Sequence, residues 1–224
     1  MEQDFTSLQE IMDKIRNVDR LPSYEEARRL FYFFEDKRPD GKRWFDFCEE
    51  CGVHNVYNTE FIDKLTTLIK DLNSPPPIEI CAGNGKLSYQ LRKNGIDIIA
   101  TDDNSEGLSN GGLVEKLPAQ KALEKYKPRI VVAAWIPYQA RIGFDVLDSP
   151  SVEHFIDIGE VATDTGKRFW GSTWLTHEIY SRTSWSRQNL AEFTNSCICR
   201  TDYSDGPRQS CVRLFSRKDA CPRK

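Results

Sequence analysis

The segment PIEICAGNGKLSYQLRKNGIDIIATDDNS, residues 77–105, constrains the fold more than any other stretch of the chain. An apolar run of strand length at 78–81 enters a turn that contains Gly83 and Gly85. A helix over 87–94 follows, stopped by Gly95, and a second apolar strand runs over 96–100. Two strands separated by one helix of this length form a parallel βαβ unit. Gly83 and Gly85 permit a sharp turn and a close backbone approach, and the free N–H groups at the start of the helix near Lys86 can hold a polar or anionic group. Asp102, at the end of the second strand, is placed to accept hydrogen bonds from ribose hydroxyls. Glu79 lies within the first strand, where burial would require a donor for its carboxylate.

The pattern on either side extends this unit. Residues 1–73 read as an N-terminal helical extension or cap, and 74–224 as one α/β domain. Ser7 with Glu10, and Ser23 with Glu26, have the spacing of capping boxes. The segment WFDFCEECG reads as a short helix ended by Gly52. Phe61, Ile62, Leu65, Leu68, Ile69 and Leu72 form one apolar helical face. After the NSPPP break, strands are expected at 78–81, 96–100, 130–134 and 154–158, with a short one near 113–114, and helices at 87–94, 119–126 and 139–147. Segments 192–201 and 210–216 read as two strands joined by a turn. The expected fold is therefore α/β: a Rossmann-like, mainly parallel sheet with helices on both faces and a C-terminal antiparallel hairpin.

Composition narrows the function. The formal charge of -3 disfavours an electrostatic grip on nucleic acid, which needs clustered Lys and Arg. No apolar run has the length of a membrane span, and the first residues lack the basic start and apolar core of a secretory signal. A cytoplasmic or nuclear location is expected. The seven cysteines read as reduced thiols. Cys48, Cys51 and His54 have the beginnings of a zinc pattern, but Cys197, Cys199 and Cys211 sit in strand-like segments where a thiol serves as a small core residue. No metal is expected.

Glu79, the turn Cys81-Ala82-Gly83-Asn84-Gly85 and Asp102 resemble the first two motifs of the class I S-adenosylmethionine-dependent methyltransferases, over roughly residues 77–216. The resemblance implies S-adenosyl-L-methionine as cofactor. It implies Cys81, Ala82, Gly83 and Gly85 at the amino-acid end, with Glu79 positioning turn amides or meeting the ammonium group. Asp102 is implied at the ribose, in preference to Asp103. Glu115 or the backbone around Leu117–Ala119 is implied near the adenine. The loop AAWIPY resembles in outline the N/D-P-P-Y loop of nucleic-acid amino methyltransferases, but it lacks the polar residue that steadies the target amine, which disfavours base methylation.

Methyl transfer needs an aligned nucleophile and, for a protonated acceptor, a base. Trp135, Pro137 and Tyr138 follow the central strand, at the carboxyl end where open α/β sheets bind ligands. They form a candidate acceptor wall with Trp170 and Trp174, and Tyr138 is also a candidate catalytic group. Glu160, just past the strand at 154–158, can orient the acceptor or take a proton. Asp164 can add a polar contact, and His177 is the candidate histidine base, ahead of His54 and His154. The acceptor expected is a small molecule or a protein. Two rival functions share these features. A noncatalytic module would keep the fold alone. An NAD-dependent oxidoreductase would use the same turn and acid, but Ser88 stands at its third small position and no Tyr–Lys or Cys–His arrangement is evident.

Overall fold

A computed structural model describes residues 2–36, 43–74, 76–108, 112–137, 140–160, 184–202 and 210–218. Three helices come first: α1 (Glu2–Arg16), α2 (Tyr24–Asp36) and α3 (Trp44–Cys51). The capping box of α2 is present: the Ser23 hydroxyl accepts the Glu26 N–H at 3.1 Å, and the Glu26 carboxylate accepts the Ser23 N–H at 2.8 Å. Ser7 is not an N-cap, because α1 already begins at Glu2; its hydroxyl accepts from Arg29 instead. Gly52 ends α3 at φ +62°, the left-handed position that glycine adopts without a Cβ clash.

Next come β1 (Asn55–Val56) and α4 (Thr59–Leu72), then the alternating series β2 (Pro77–Ile80), α5 (Lys86–Lys93), β3 (Ile99–Asp102), β4 (Glu115–Lys116), α6 (Ala119–Tyr126), β5 (Ile130–Ala134), α7 (Ile142–Asp148) and β6 (His154–Glu160). The chain continues through β7 (Trp185–Asn189), a short helix Ala191–Thr194, β8 (Ile198–Cys199) and β9 (Ser210–Arg217). Seven strands make one sheet in the order β4-β3-β2-β5-β6-β9-β7. β4, β3, β2, β5 and β6 run parallel; β9 pairs antiparallel with β6 and with β7.

The expected antiparallel ending is therefore present, but its arms are β7 and β9. The segment expected as the first arm, 192–201, is a helical turn followed by the two residues of β8, which pair with β1 rather than β9. Tertiary pairing with Asn55 and Val56 overrides the local strand signal there.

Helices cover both faces. Phe61, Ile62, Leu65 and Ile69 of α4 pack with Leu87 and Leu91 of α5 against Val132, Ile156 and Val212. On the other face, Ala122, Leu123, Val146 and Leu147 of α6 and α7 pack on Ile78, Ile80, Val131 and Phe155. Helices α1–α3 build a third cluster around Phe31, Trp44 and Phe47, which also takes in Val56 and Ile198. Each fully buried Leu, Ile or Phe contributes about 1.5–3 kcal/mol of transfer free energy, so all three clusters matter to folding. Within the sheet, Arg213 on β9 meets its register partner Asp157 on β6 in a buried ion pair at 2.9 Å, at an angle that is not that of a hydrogen bond.

Candidate active site

The sheet changes direction of growth at β2: β3 lies on one side of it and β5 on the other, reached by a crossover. The carboxyl ends of β2 and β5 are therefore the switch point where an open sheet leaves a crevice. Both strands end in strained residues, Cys81 at φ +55° and Trp135 at φ +57°. A non-glycine residue there costs roughly 1–2 kcal/mol, and strain of this kind concentrates at functional sites.

The glycine turn has an internal logic. Gly85 donates to the Ala82 carbonyl at 2.9 Å, and the Asn84 side chain accepts the Lys86 N–H at 3.0 Å. A Cβ on Gly85 would lie 2.5 Å from Val114 Cγ2, so this glycine serves the approach of the turn to the β4 segment. Gly83, at φ +53°, differs: a Cβ there would meet nothing within 4 Å. The space above Gly83 is open and belongs to the crevice.

Two acids flank the turn. Glu79 is 1% exposed, and its carboxylate accepts the Ser88 N–H at 2.9 Å and the Ser88 hydroxyl. The donor that burial requires is thus the first turn of α5. Burial pushes the Glu79 carboxyl up to about 7, against the lowering effect of the Ser88 hydrogen bonds. Asp102 accepts the Gly83 N–H at 2.9 Å on one oxygen and the Asn104 N–H at 2.6 Å on the other. Each carboxylate oxygen keeps further acceptor capacity for a ligand hydroxyl.

Two clefts open here, with about 500 and 600 Å³ of space between atoms. The first runs over Glu79, Ala82, Asn84 and Lys86; the second runs past Asp102, Asp103, Ala119 and Pro137. They share His54, Cys81, Gly83, Leu108, Ala134 and Trp135. Lys86 contributes its stem, while its ammonium is occupied, donating to the carbonyls of Lys14, Ile15 and Asn17 at 2.6–2.8 Å. Burial pushes that ammonium down to about 8, which leaves it protonated at neutral pH.

Of the residues singled out in the sequence, Glu79, Cys81, Ala82, Gly83, Trp135, Asp102 and Pro137 line one or both clefts. Gly85 supports the turn. In the 117–119 stretch, the Leu117 N–H donates to the Asp102 carbonyl at 2.8 Å and its side chain packs against the α6–α7 core, and Ala119 lines the second cleft. Glu115 pairs with Lys125 and Tyr126. Tyr138, Asp164, Trp170, Trp174 and His177 lie outside the described residues, as does the side chain of Glu160. The described residues contain no group of three or more His, Cys, Asp or Glu arranged to hold a metal.

His54 belongs to the site with no clear sign of it in the sequence. Its carbonyl accepts the Arg200 N–H at 2.9 Å, extending the β1–β8 ladder, and its ring stacks on Trp135 with centroids 5.4 Å apart. Burial and the nearby Arg200 guanidinium push its imidazole down to about 4. The signal that could have found it is the pairing of 55–56 with 198–199, which leaves no periodic trace in two-residue strands.

No family model matches the chain, and no curated protein matches it. Solved structures do. The methyltransferase domain of bacterial CtHen1 is 10% identical, with 70% of this chain and 97% of that one covered at a TM-score of 0.47. TehB from Haemophilus influenzae is 14% identical, with 79% and 68% covered at 0.45. Magnesium protoporphyrin IX methyltransferase (ChlM) from Synechocystis PCC 6803 is 13% identical, with 70% and 81% covered at 0.44. The fold itself rests on the strand order. With five parallel strands, helices on both faces and β9 inserted antiparallel between β6 and β7, the sheet has the topology of the Rossmann-like methyltransferase fold.

Proposed function

We propose that this chain transfers a methyl group from S-adenosyl-L-methionine to a small-molecule or protein acceptor. The observation that carries the reading is the pair of joined clefts across the switch point, which pass from buried Glu79 over the open face of Gly83 to Asp102. The donor set suits the cofactor. Glu79 can answer an ammonium group, and the turn at 81–85 can receive the amino-acid chain. Asp102 has acceptor capacity for ribose hydroxyls, and the indole N–H of Trp135 is buried with no hydrogen-bond partner among the described residues. When bound, the cofactor supplies a methyl group made electrophilic by its sulfonium; the protein's part is to hold, orient and exclude water.

On the acceptor side the reading retains Trp135, Pro137, Tyr138, Trp170 and Trp174 as wall, with Glu160, Tyr138 and His177 as candidate catalytic groups. The formal charge of -3 favours a small molecule or protein over nucleic acid. Among the described residues no helix is long and apolar enough to cross a membrane; a cytoplasmic or nuclear site of action is part of the proposal.

Calorimetric titration with S-adenosylhomocysteine, with NAD in parallel, tests the reading. Saturable binding of the first alone, markedly weakened by Asp102→Ala, is expected. Binding of NAD alone would replace the methyltransferase with an oxidoreductase. Binding of neither by folded protein would leave a noncatalytic module.

A further inference from the structure

The junction of the two clefts says more about the acceptor, provided the S-adenosylmethionine reading holds. In that cofactor the sulfur stands between the amino-acid chain and the ribose. A ligand reaching from the 81–85 turn to Asp102 would therefore present its methyl-bearing centre to the lining that the clefts share. Of those residues, Gly83, Leu108 and Ala134 have no titratable side chain. Cys81 is kept a thiol, pushed up to about 12 by burial and the neighbouring Asp102 and Asp103 carboxylates. Trp135 carries a nitrogen that only donates. Glu79 lines one cleft alone, and Asp102, Asp103 and Glu106 line the other alone. His54 is left as the one described group at the junction with a basic lone pair.

We infer that His54 is the base that faces the acceptor and that the Trp135 indole N–H orients it. The acceptor class is an uncharged molecule whose hydroxyl stands beside a second, hydrogen-bond-accepting atom. Three observations carry this. His54 is fixed at both ends, by the backbone bond from Arg200 and by the ring stack on Trp135. Trp135 is held in a left-handed backbone conformation, is 7% exposed, and its buried N–H has no hydrogen-bond partner among the described residues. The cations nearby are engaged: Lys86 with three carbonyls of the α1 end, and Arg200 with Glu49. The Arg200 guanidinium lies 5.7 Å over the Trp135 ring but is paired with Glu49, so the nearest described cation is already neutralised, and the carboxylates lie in the arms, away from a cationic acceptor.

The proton balance is simple. As the acceptor atom forms its bond to the methyl carbon, the carbon–sulfur electron pair stays on sulfur. The acceptor's own O–H bond breaks, its electron pair stays on the acceptor oxygen, and the proton passes to an imidazole nitrogen of His54. A neutral imidazole is ready for this at pH 7. A methylated oxygen that still holds its proton is a far stronger acid than imidazolium, so even a weakly basic ring suffices.

The test uses the whole chain, labelled with 15N-histidine and 15N-tryptophan, at neutral pH. The His54 signals are assigned with His54→Gln or, if that variant does not fold, by the ring contact to Trp135. Calorimetry first establishes binding of S-adenosylhomocysteine, neutral at the transfer position, and of sinefungin, which carries an amine there. His54 is expected to shift more with sinefungin than with S-adenosylhomocysteine, while His154 stays put. With S-adenosylhomocysteine bound, the neutral probe 2-methoxyphenol should move the His54 and Trp135 N–H signals, and benzoate should not. Saturable binding of both analogues with equal or absent His54 shifts would overturn the assignment of His54 and leave the cofactor reading standing. A response to benzoate, or to neither probe, would overturn the acceptor class. Failure of both analogues to bind would overturn the cofactor reading and this inference with it.

Discussion

Glu79 should make the protein less stable as pH rises through neutrality, a sign opposite to that of an ordinary salt-bridged carboxylate. Its side chain is 1% exposed, and burial raises its pKa from 4.5 to about 7. Between those values the unfolded chain has released the proton and the folded chain still holds it, so stability is fully present below about pH 4.5 and is lost as pH climbs through 7. At 1.36 kcal/mol per pKa unit, the loss is about 3 kcal/mol. His54, held down to about 4, and His154, also held down, take up protons more readily in the unfolded chain, so their contributions grow with pH over the same range and mask the effect in the wild type alone. The clean quantity is the difference between the wild type and Glu79→Gln, which removes only this titration. Urea denaturation of both, from about pH 4.5 to about pH 8, should show the wild type losing about 3 kcal/mol relative to the variant, with no further divergence above that range. Adding S-adenosylhomocysteine should shrink the slope, because an ammonium group meeting Glu79 favours its ionised form. A difference that is flat with pH, or that grows in the wild type's favour, would refute the argument.

Other perturbations separate roles that lie close together. Gly85→Ala sets a Cβ 2.5 Å from Val114 Cγ2 at φ +77° and should cost about 2 kcal/mol in thermal or urea unfolding. Gly83→Ala meets no atom within 4 Å and should cost only about 1 kcal/mol, yet weaken S-adenosylhomocysteine binding by calorimetry more than its stability loss explains. Lys86→Met strips the donor from three carbonyls at the end of α1 and should destabilise by roughly 2 kcal/mol, with hydrogen exchange speeding up in α1 first. Asp157→Ala should cost about 3 kcal/mol by removing one partner of a buried ion pair, and adding Arg213→Met should recover part of the loss in a double-mutant cycle.

What the sequence made legible was local. The turn at 83–85, the acid at 102, the cap at Ser23 and the apolar face of α4 each depend on chemistry within one or two turns of chain, and each has its expected place. Misreadings fell where a distant partner decides. Ser7 has the right spacing for a cap, but the chain is helical five residues earlier. The stretch 192–201 has strand-like composition, but 192–194 belong to a helical turn and only Ile198 and Cys199 form a strand, paired with Val56 and Asn55. Lys86 read only as the start of a helix; its three carbonyl partners come from residues some 70 positions away.

Those long-range ties also explain why a histidine from the first quarter of the chain reaches the crevice. The α5 face at Lys86, Gln90 and Lys93 donates to carbonyls at the α1 end and just beyond, Asn17, Val18 and Asp19 among them. Trp44 Nε1 donates to the Cys199 carbonyl, and Asn58 Nδ2 to the Ser196 carbonyl. Residues 54–58 are thus tied at several points to the 196–200 segment, while α1, which packs in the same cluster as Val56, is tied to α5. The same α5 that opens the glycine turn and caps Glu79 therefore also sets the position of α1. A ligand that tightens the turn would tighten the wall carrying His54, because both are fastened to one helix.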